Sequence, residues 1–219
     1  EIIMLNEGCN SEYVTSGVFD LNYYWPPLVS AVMPYARFIK EAHDKNEQSG
    51  SGEKGIYFVE NHDTVTDCGR ADAHFGPELC DCLYVYLFTV NGTPLLYCGE
   101  EIADMNEHCL FANKEHNRGY GVDWSNALLA HGKRRLALIR KLTALRTGED
   151  ALARGTFAWL ASDADVLAYE RCFQEERISV FINLSDGKTA IESKGAVLLS
   201  RGYHKNGTVN PGGFVLFKE

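Results

Sequence analysis

The sequence predicts an α/β fold over residues 1–150 and a small all-β module over residues 151–219. Three observations carry that expectation. Short apolar runs alternate with amphipathic helical stretches through residue 148, an order that implies parallel strands joined by right-handed crossovers. Beyond residue 150 the helical periodicity stops, and brief apolar runs are separated by Asp, Gly, Asn and Pro turn signals. Several early runs also end in polar side chains, as strands of a parallel barrel do where they deliver residues to its C-terminal mouth.

Residues 1–6 and 17–22 read as strands, the first of them buried. Pro26 and Pro27 then open a stretch in which Leu28, Val32, Ala36 and Ile39 recur at helical spacing, while Arg37, Lys40, Glu41 and Asp44 fall mainly off that stripe. Gln48-Ser49-Gly50-Ser51-Gly52 breaks this helix, and residues 55–60 form the next strand. A second helix starts near Pro77 with Glu78 in its first turn, shows a face of Leu79, Leu83, Tyr86, Leu87 and Val90, and stops at Asn91-Gly92. Residues 93–97 are a strand. Residues 99–126 form a polar connection of a length that is usually functional. A third helix runs over 131–147 and ends at Gly148, after which strand patterns occupy 166–171, 178–183, 195–200 and 213–218.

The totals exclude several functions. With 45% hydrophobic and 23% charged residues the composition is that of an ordinary globular protein. A net charge of -9 and the lack of any basic run argue against a nucleic-acid partner, because phosphate backbones are held mainly by Lys and Arg. No membrane partner is expected, since no stretch approaches the roughly 18 apolar residues of a span. The start Glu1-Ile2-Ile3-Met4-Leu5 lacks the basic region and cleavage site of a signal peptide. Seven cysteines cannot all pair internally, so reduced thiols and a cytoplasmic location are expected. Cys80 and Cys82, two apart on a helix, point to different faces and read as packing residues. His108, Glu115 and His116 do not have metal-ligand spacing, so no metal site is expected.

The chemistry concentrates at strand ends: Leu5 leads to Asn6 and Glu7, Phe19 to Asp20, Val59 to Glu60-Asn61-His62-Asp63, and Tyr97 to Glu100 and Glu101. Phe58-Val59-Glu60-Asn61-His62-Asp63 resembles the strand-seven motif of the α-amylase superfamily, glycoside hydrolase family 13. Met4-Leu5-Asn6-Glu7-Gly8 is similar to its strand-five motif, and Phe19-Asp20-Leu21-Asn22-Tyr23-Tyr24-Trp25 to its strand-six segment. Residues 92–101 resemble strand eight and its turn, and Val122-Asp123-Trp124 and residues 142–146 continue in the family's order. On that series the chain is identified as a member of this superfamily, resembling units 5–8 of the (β/α)8 TIM barrel followed by the C-terminal β-sandwich.

The resemblance implies roles residue by residue. Glu7 would be the general acid and base, and Asp63 would hold sugar hydroxyls and help distort the ring toward an oxocarbenium-like transition state. His62 and Asn61 would contact the same sugar, Tyr23, Tyr24 and Trp25 would offer faces on which sugar rings stack, and Arg118 would reach an outer subsite. The substrate implied is an α-glucan or related oligosaccharide, hydrolysed or transferred with retention. The family's nucleophile is an Asp in a Gly-x-Arg-x-Asp segment of strand four, and no such segment occurs among these residues. The Asp-x-x-x-Asn-His segment of its calcium site is also absent, so no cofactor is expected in this chain. The expectation is therefore half a barrel, inactive alone, that pairs with an N-terminal half or with a copy of itself through open strand edges, or that is a cut portion of a longer protein. The alternative is a non-catalytic carbohydrate-binding or scaffolding relative on the same fold. A binding module carried by the region after residue 150 ranks lower, because Tyr169, Phe173 and Tyr203 are not spaced as an obvious platform.

Overall fold

The structure is a computed structural model that describes residues 2–24, 26–50, 52–107, 121–162, 165–192 and 194–219. Its first part carries β1 (Leu5–Asn6), α1 (Ser11–Thr15), β2 (Leu21–Tyr23), α2 (Tyr35–Gln48), β3 (Gly55–Phe58), α3 (His62–Cys68), α4 (Ala71–Thr89), β4 (Thr93–Leu95) and α5 (Ala130–Gly148). The four strands pair in the order β1-β2-β3-β4, all parallel, as the alternation of apolar runs and helices predicts. Successive side chains on a strand face opposite ways. Tyr57 and Val59 therefore enter the large core beneath the helices, while Ile56, Phe58 and Tyr23 form a small cluster on the other face.

Two early expectations are corrected. The strand expected over residues 1–6 is reduced to Leu5–Asn6, and residues 2–5 are exposed, Ile2 at 82% and Ile3 at 71%, because β1 is an edge that pairs only with β2 among the described residues. The helix expected from Pro27 begins instead at Tyr35, after a single 3-10 turn at Leu28–Ser30. Pro34 explains the delay, since a proline disfavours helical backbone at the residue before it. Leu28, Ala36 and Ile39 are buried as their spacing predicts, but Val32, outside the helix, is exposed.

Helix α4 is kinked at Gly76, whose φ of 71° suits glycine, and Pro77 opens its straight second half. Every residue from Cys80 to Thr89 is buried, so this half is covered on all sides rather than on one face. Cys80 and Cys82 pack there, and the six described cysteines are all unpaired.

The second part begins with α6 (Asp150–Arg154) and continues through β5 (Thr156–Trp159), β6 (Val166–Phe173), β7 (Glu176–Asn183), β8 (Thr189–Ala190), β9 (Ala196–His204) and β10 (Thr208–Lys218). These strands form a six-stranded sheet in the order β5-β6-β7-β10-β8, with β9 on the other edge of β10 and every pairing antiparallel. A register shift between Val209 and Phe214 marks an irregularity in β10 at Pro211-Gly212-Gly213. Leu167, Tyr169, Ile178, Val180, Ile182, Phe214 and Leu216 join the same core as α4 and α5, so one apolar interior runs through both parts. The opposite face carries Ala168, Phe181, Val215 and Phe217, partly covered by Leu160, Ile191 and Tyr203.

Arginines tie the two parts together. Arg171 of β6 is buried and donates to the carbonyls of Thr89 and Val90 at 2.8 and 2.7 Å and of Gly155 at 2.8 Å. Burial brings its guanidinium pKa down to about 10, but the carbonyls at the C-terminus of α4 are the partners a cation prefers. Arg135 on α5 bridges Asp72 and Asp81 of α4, and Arg201 of β9 meets the other oxygen of Asp81. Among the described residues no helix is long and apolar enough to cross a membrane.

Candidate active site

The C-terminal ends of β1 and β3, which flank β2, bring Glu7, His62 and Asp63 together. His62 Nε2 lies 3.2 Å from Glu7 Oε1 and 3.5 Å from Asp63 Oδ1. Both carboxylates are more than half exposed and the imidazole is less so, which leaves the acidic groups open to a solute and the ring held between them.

Each member is placed by local structure that the sequence encodes. The buried Asn6 side chain donates to Asn22 Oδ1 at 2.8 Å and to the Asn10 carbonyl at 3.0 Å, while its own oxygen accepts from the Gly8 amide at 3.0 Å. That fixes the tight turn on which Glu7 stands. Asn61 is the N-cap of α3: its side-chain oxygen accepts from the amides of Asp63 and Thr64 at 3.1 and 2.9 Å, and Thr64 Oγ1 accepts from the Asn61 amide at 2.7 Å. This reciprocal cap is a helix start, and it aims His62 and Asp63 from the first helical turn. The motif is thus a strand, a cap and a helix rather than a strand running into open loop. The Asn-x-x-Thr spacing carries the signal for it.

Beneath the turn lies a buried ionic layer that sequence reasoning missed. Arg70 Nε meets Glu60 Oε1 at 2.8 Å, and Glu60 Oε2 accepts from the Ala71 amide at 2.6 Å, closing a loop around α3. Arg70 also donates to the carbonyls of Cys98 at 3.2 Å and Asn106 at 3.4 Å, linking the ends of β3 and β4. Glu100 is fully buried; its carboxylate is met by the Tyr84 hydroxyl at 2.9 Å and the Tyr97 amide at 2.6 Å. Burial, and then the neighbouring Glu60, push the Glu100 carboxyl well up. Burial also raises Glu60, against the opposing pull of Arg70.

The remaining expected residues divide. Asn61 is almost wholly buried and occupied as a cap, so it orders the turn. Tyr24 is 0% exposed: its ring stacks on Tyr57 with centroids 4.1 Å apart, in the core under α2 and α4. A stacking surface at the mouth is therefore corrected for Tyr24. The reason is alternation, since its amide continues the pairing of β2 by donating to Ile56 at 2.8 Å and its side chain must face opposite to that of Tyr23. Tyr23 is the tyrosine on the site's side, packed on Phe58, with its phenol pKa raised by burial and then by Glu7 and Asp63. Trp25 and Arg118, and also His108, Glu115 and His116, lie outside the described residues.

Chemically, the cluster offers a carboxyl group for proton transfer, a second carboxylate and an imidazole to hold hydroxyls. One ligand atom from each of Glu7, His62 and Asp63 falls within 4.8 Å of the others, so the set could also hold a cation.

The sequence matches no protein-family model and no curated protein. Solved structures do resemble it. The cyclic α-maltosyl-(1→6)-maltose hydrolase from Arthrobacter globiformis aligns over 98% of this chain and 48% of its own, with a TM-score of 0.71 and 19% identity. The maltogenic amylase from S. marinus aligns over 99% and 31%, with a TM-score of 0.74 and 16% identity. The debranching enzyme from Nostoc punctiforme aligns over 100% and 51%, with a TM-score of 0.73 and 15% identity. At such identities the likeness is one of fold, and the chain spans roughly a third to a half of each structure.

Proposed function

We propose that this chain is the C-terminal part of an α-amylase-type retaining glycosidase, contributing units 5–8 of a (β/α)8 barrel and a C-terminal β-sandwich, with a boundary near residue 150. The observation that carries the reading is the convergence of Glu7, His62 and Asp63, with separations of 3.2 and 3.5 Å, from the ends of two parallel strands. The fold likeness to α-glucan-acting enzymes supports the same substrate class.

In this reading Glu7 protonates the glycosidic oxygen as the bond breaks and later takes a proton from water. Asp63 and His62 hold the hydroxyls of the sugar at the cleavage point, interactions that strengthen as the ring flattens. The nucleophile that traps the glycosyl group comes from the N-terminal half-barrel, which packs against the exposed β1 edge. Two carboxylates and an imidazole favour this over a scaffolding relative, which has no chemical use for such an open, charged cluster.

The test joins this chain to an N-terminal half-barrel bearing the strand-four Asp, by co-expression, and follows maltooligosaccharide hydrolysis in the purified assembly. Glu7→Gln should lower kcat about 10²–10⁴-fold. A folded, active assembly indifferent to Glu7→Gln would refute the assignment.

A further inference from the structure

We propose that the Tyr23 phenol is a fourth member of the site beside Glu7, His62 and Asp63, donating a hydrogen bond to one hydroxyl of the sugar at the cleavage point. The sugar rests on the function proposed above; the place of the phenol rests on the strand register. Asn6 of β1 and Asn22 of β2 are partners in that register, and their side chains bond to each other at 2.8 Å. Glu7 follows the one and Tyr23 the other, so the two stand side by side at the strand ends, their backbones about one strand spacing, ~4.8 Å, apart. On the other flank β3 pairs Ile56 with Tyr23 and leads through Phe58 to His62 and Asp63 at the start of α3. Tyr23 is thus the residue delivered by the strand that lies between the sources of the two carboxylates.

The side chain is placed as a donor rather than as a stacking surface. Tyr23 is only 9% exposed and its ring packs on Phe58 with centroids 5.3 Å apart, so little of the ring is left for a sugar to stack on and that expected role is corrected. The hydroxyl differs from the ring. Among the described residues the buried hydroxyls without a partner are those of Tyr24 and Tyr86; that of Tyr23 is not one of them, yet no described residue hydrogen-bonds to it. It therefore reaches open space with its bonding capacity unspent, close enough to Glu7 and Asp63 for both to act on it. Burial, and then those two carboxylates, raise the phenol above its ordinary pKa, which keeps its proton in place at neutral pH. A neutral phenol can donate to one sugar oxygen and accept from another hydroxyl in return. An ionised Asp63 only accepts, so Tyr23 adds a donor that the carboxylate lacks.

The experiment measures kcat/KM in the assembly of this chain with an N-terminal half-barrel, using α-maltosyl fluoride and its analogues deoxygenated at C2, C3 or C6 of the ring that bears fluorine. Tyr23→Phe keeps the ring on Phe58 and removes only the hydroxyl, so its circular dichroism and thermal midpoint should match those of the parent. It should lower kcat/KM on α-maltosyl fluoride about three- to tenfold, the size of one hydrogen bond to a neutral group. With one of the deoxy analogues parent and variant should react equally, because the partner of the phenol is gone from the sugar. A purely structural role would cost the same factor on all four substrates, and that result would overturn the proposal. So would a Tyr23→Phe variant as fast as the parent on α-maltosyl fluoride. With maltooligosaccharide hydrolysis still collapsing in Glu7→Gln, either result leaves the proposed function standing; an active assembly indifferent to Glu7→Gln removes both.

Discussion

Glu100 shows how far a single residue departs from what its letter suggests. In the sequence it is one of two acidic residues ending a strand, as much a candidate for the mouth as Glu7. In the structure it is wholly buried, satisfied by Tyr84 and the Tyr97 amide, while Arg70 is committed to Glu60. Its pKa rises from the ordinary 4.5 on folding, so the native state keeps a proton that the unfolded chain releases. That sign means stability falls as pH rises from about 4.5 to the raised folded value, by up to about 1.4 kcal/mol per pH unit. Glu60, also raised, adds in the same direction. Urea unfolding between pH 4.5 and 7 should therefore show a downward slope that Glu100→Gln flattens; an unchanged slope would mean that Glu100 is ionised in the fold. Glu7, His62 and Asp63 were legible because the motif names residue types and their order. Tyr24 was not, because motif likeness is blind to which face of a strand a neighbour takes.

At the scale of elements, the unit that matters is α3 with its two anchors. Nine residues lie between Glu60 and Arg70, and the buried ion pair between these two closes that loop around the helix bearing His62 and Asp63. Removing one partner leaves the other charged and buried, which costs about 3–5 kcal/mol, whereas replacing both is far milder. Arg70→Met should therefore destabilise the chain strongly in thermal unfolding, and Glu60→Gln with Arg70→Met should recover most of the loss. Equal losses in the single and double variants would deny the clamp. The long helices were readable from periodicity and glycine stops, and α5 falls within a residue of its expected limits. The short elements were not. α3, α6, β5 and β8 are too brief to show a period, and the start of α2 was set by Pro34 rather than by its apolar stripe.

For the whole molecule, the continuous core accounts for how the two parts hold each other. Helix α4 lies between the parallel and antiparallel sheets, buried on every side of its second half, and Arg171 and Arg146 both donate to carbonyls at its C-terminal end. The order of strands and helices was legible from the apolar periodicities; this cross-sheet packing was not, because it depends on contacts between residues distant in sequence. The exposed Ile2, Ile3, Met4 and Leu5, leading into and starting the edge strand β1, are the counterpart at this scale, an apolar margin on the open edge of the parallel sheet. On this account the strand ends hold a proton donor and a sugar clamp without the group that attacks the sugar. The most direct measurement is maltooligosaccharide hydrolysis by the purified 219-residue chain itself, with folding verified by circular dichroism and with Glu7→Gln in parallel. The account predicts no turnover above the Glu7→Gln background until an N-terminal half with its nucleophile is added. Robust, Glu7-dependent hydrolysis by the chain alone would contradict it.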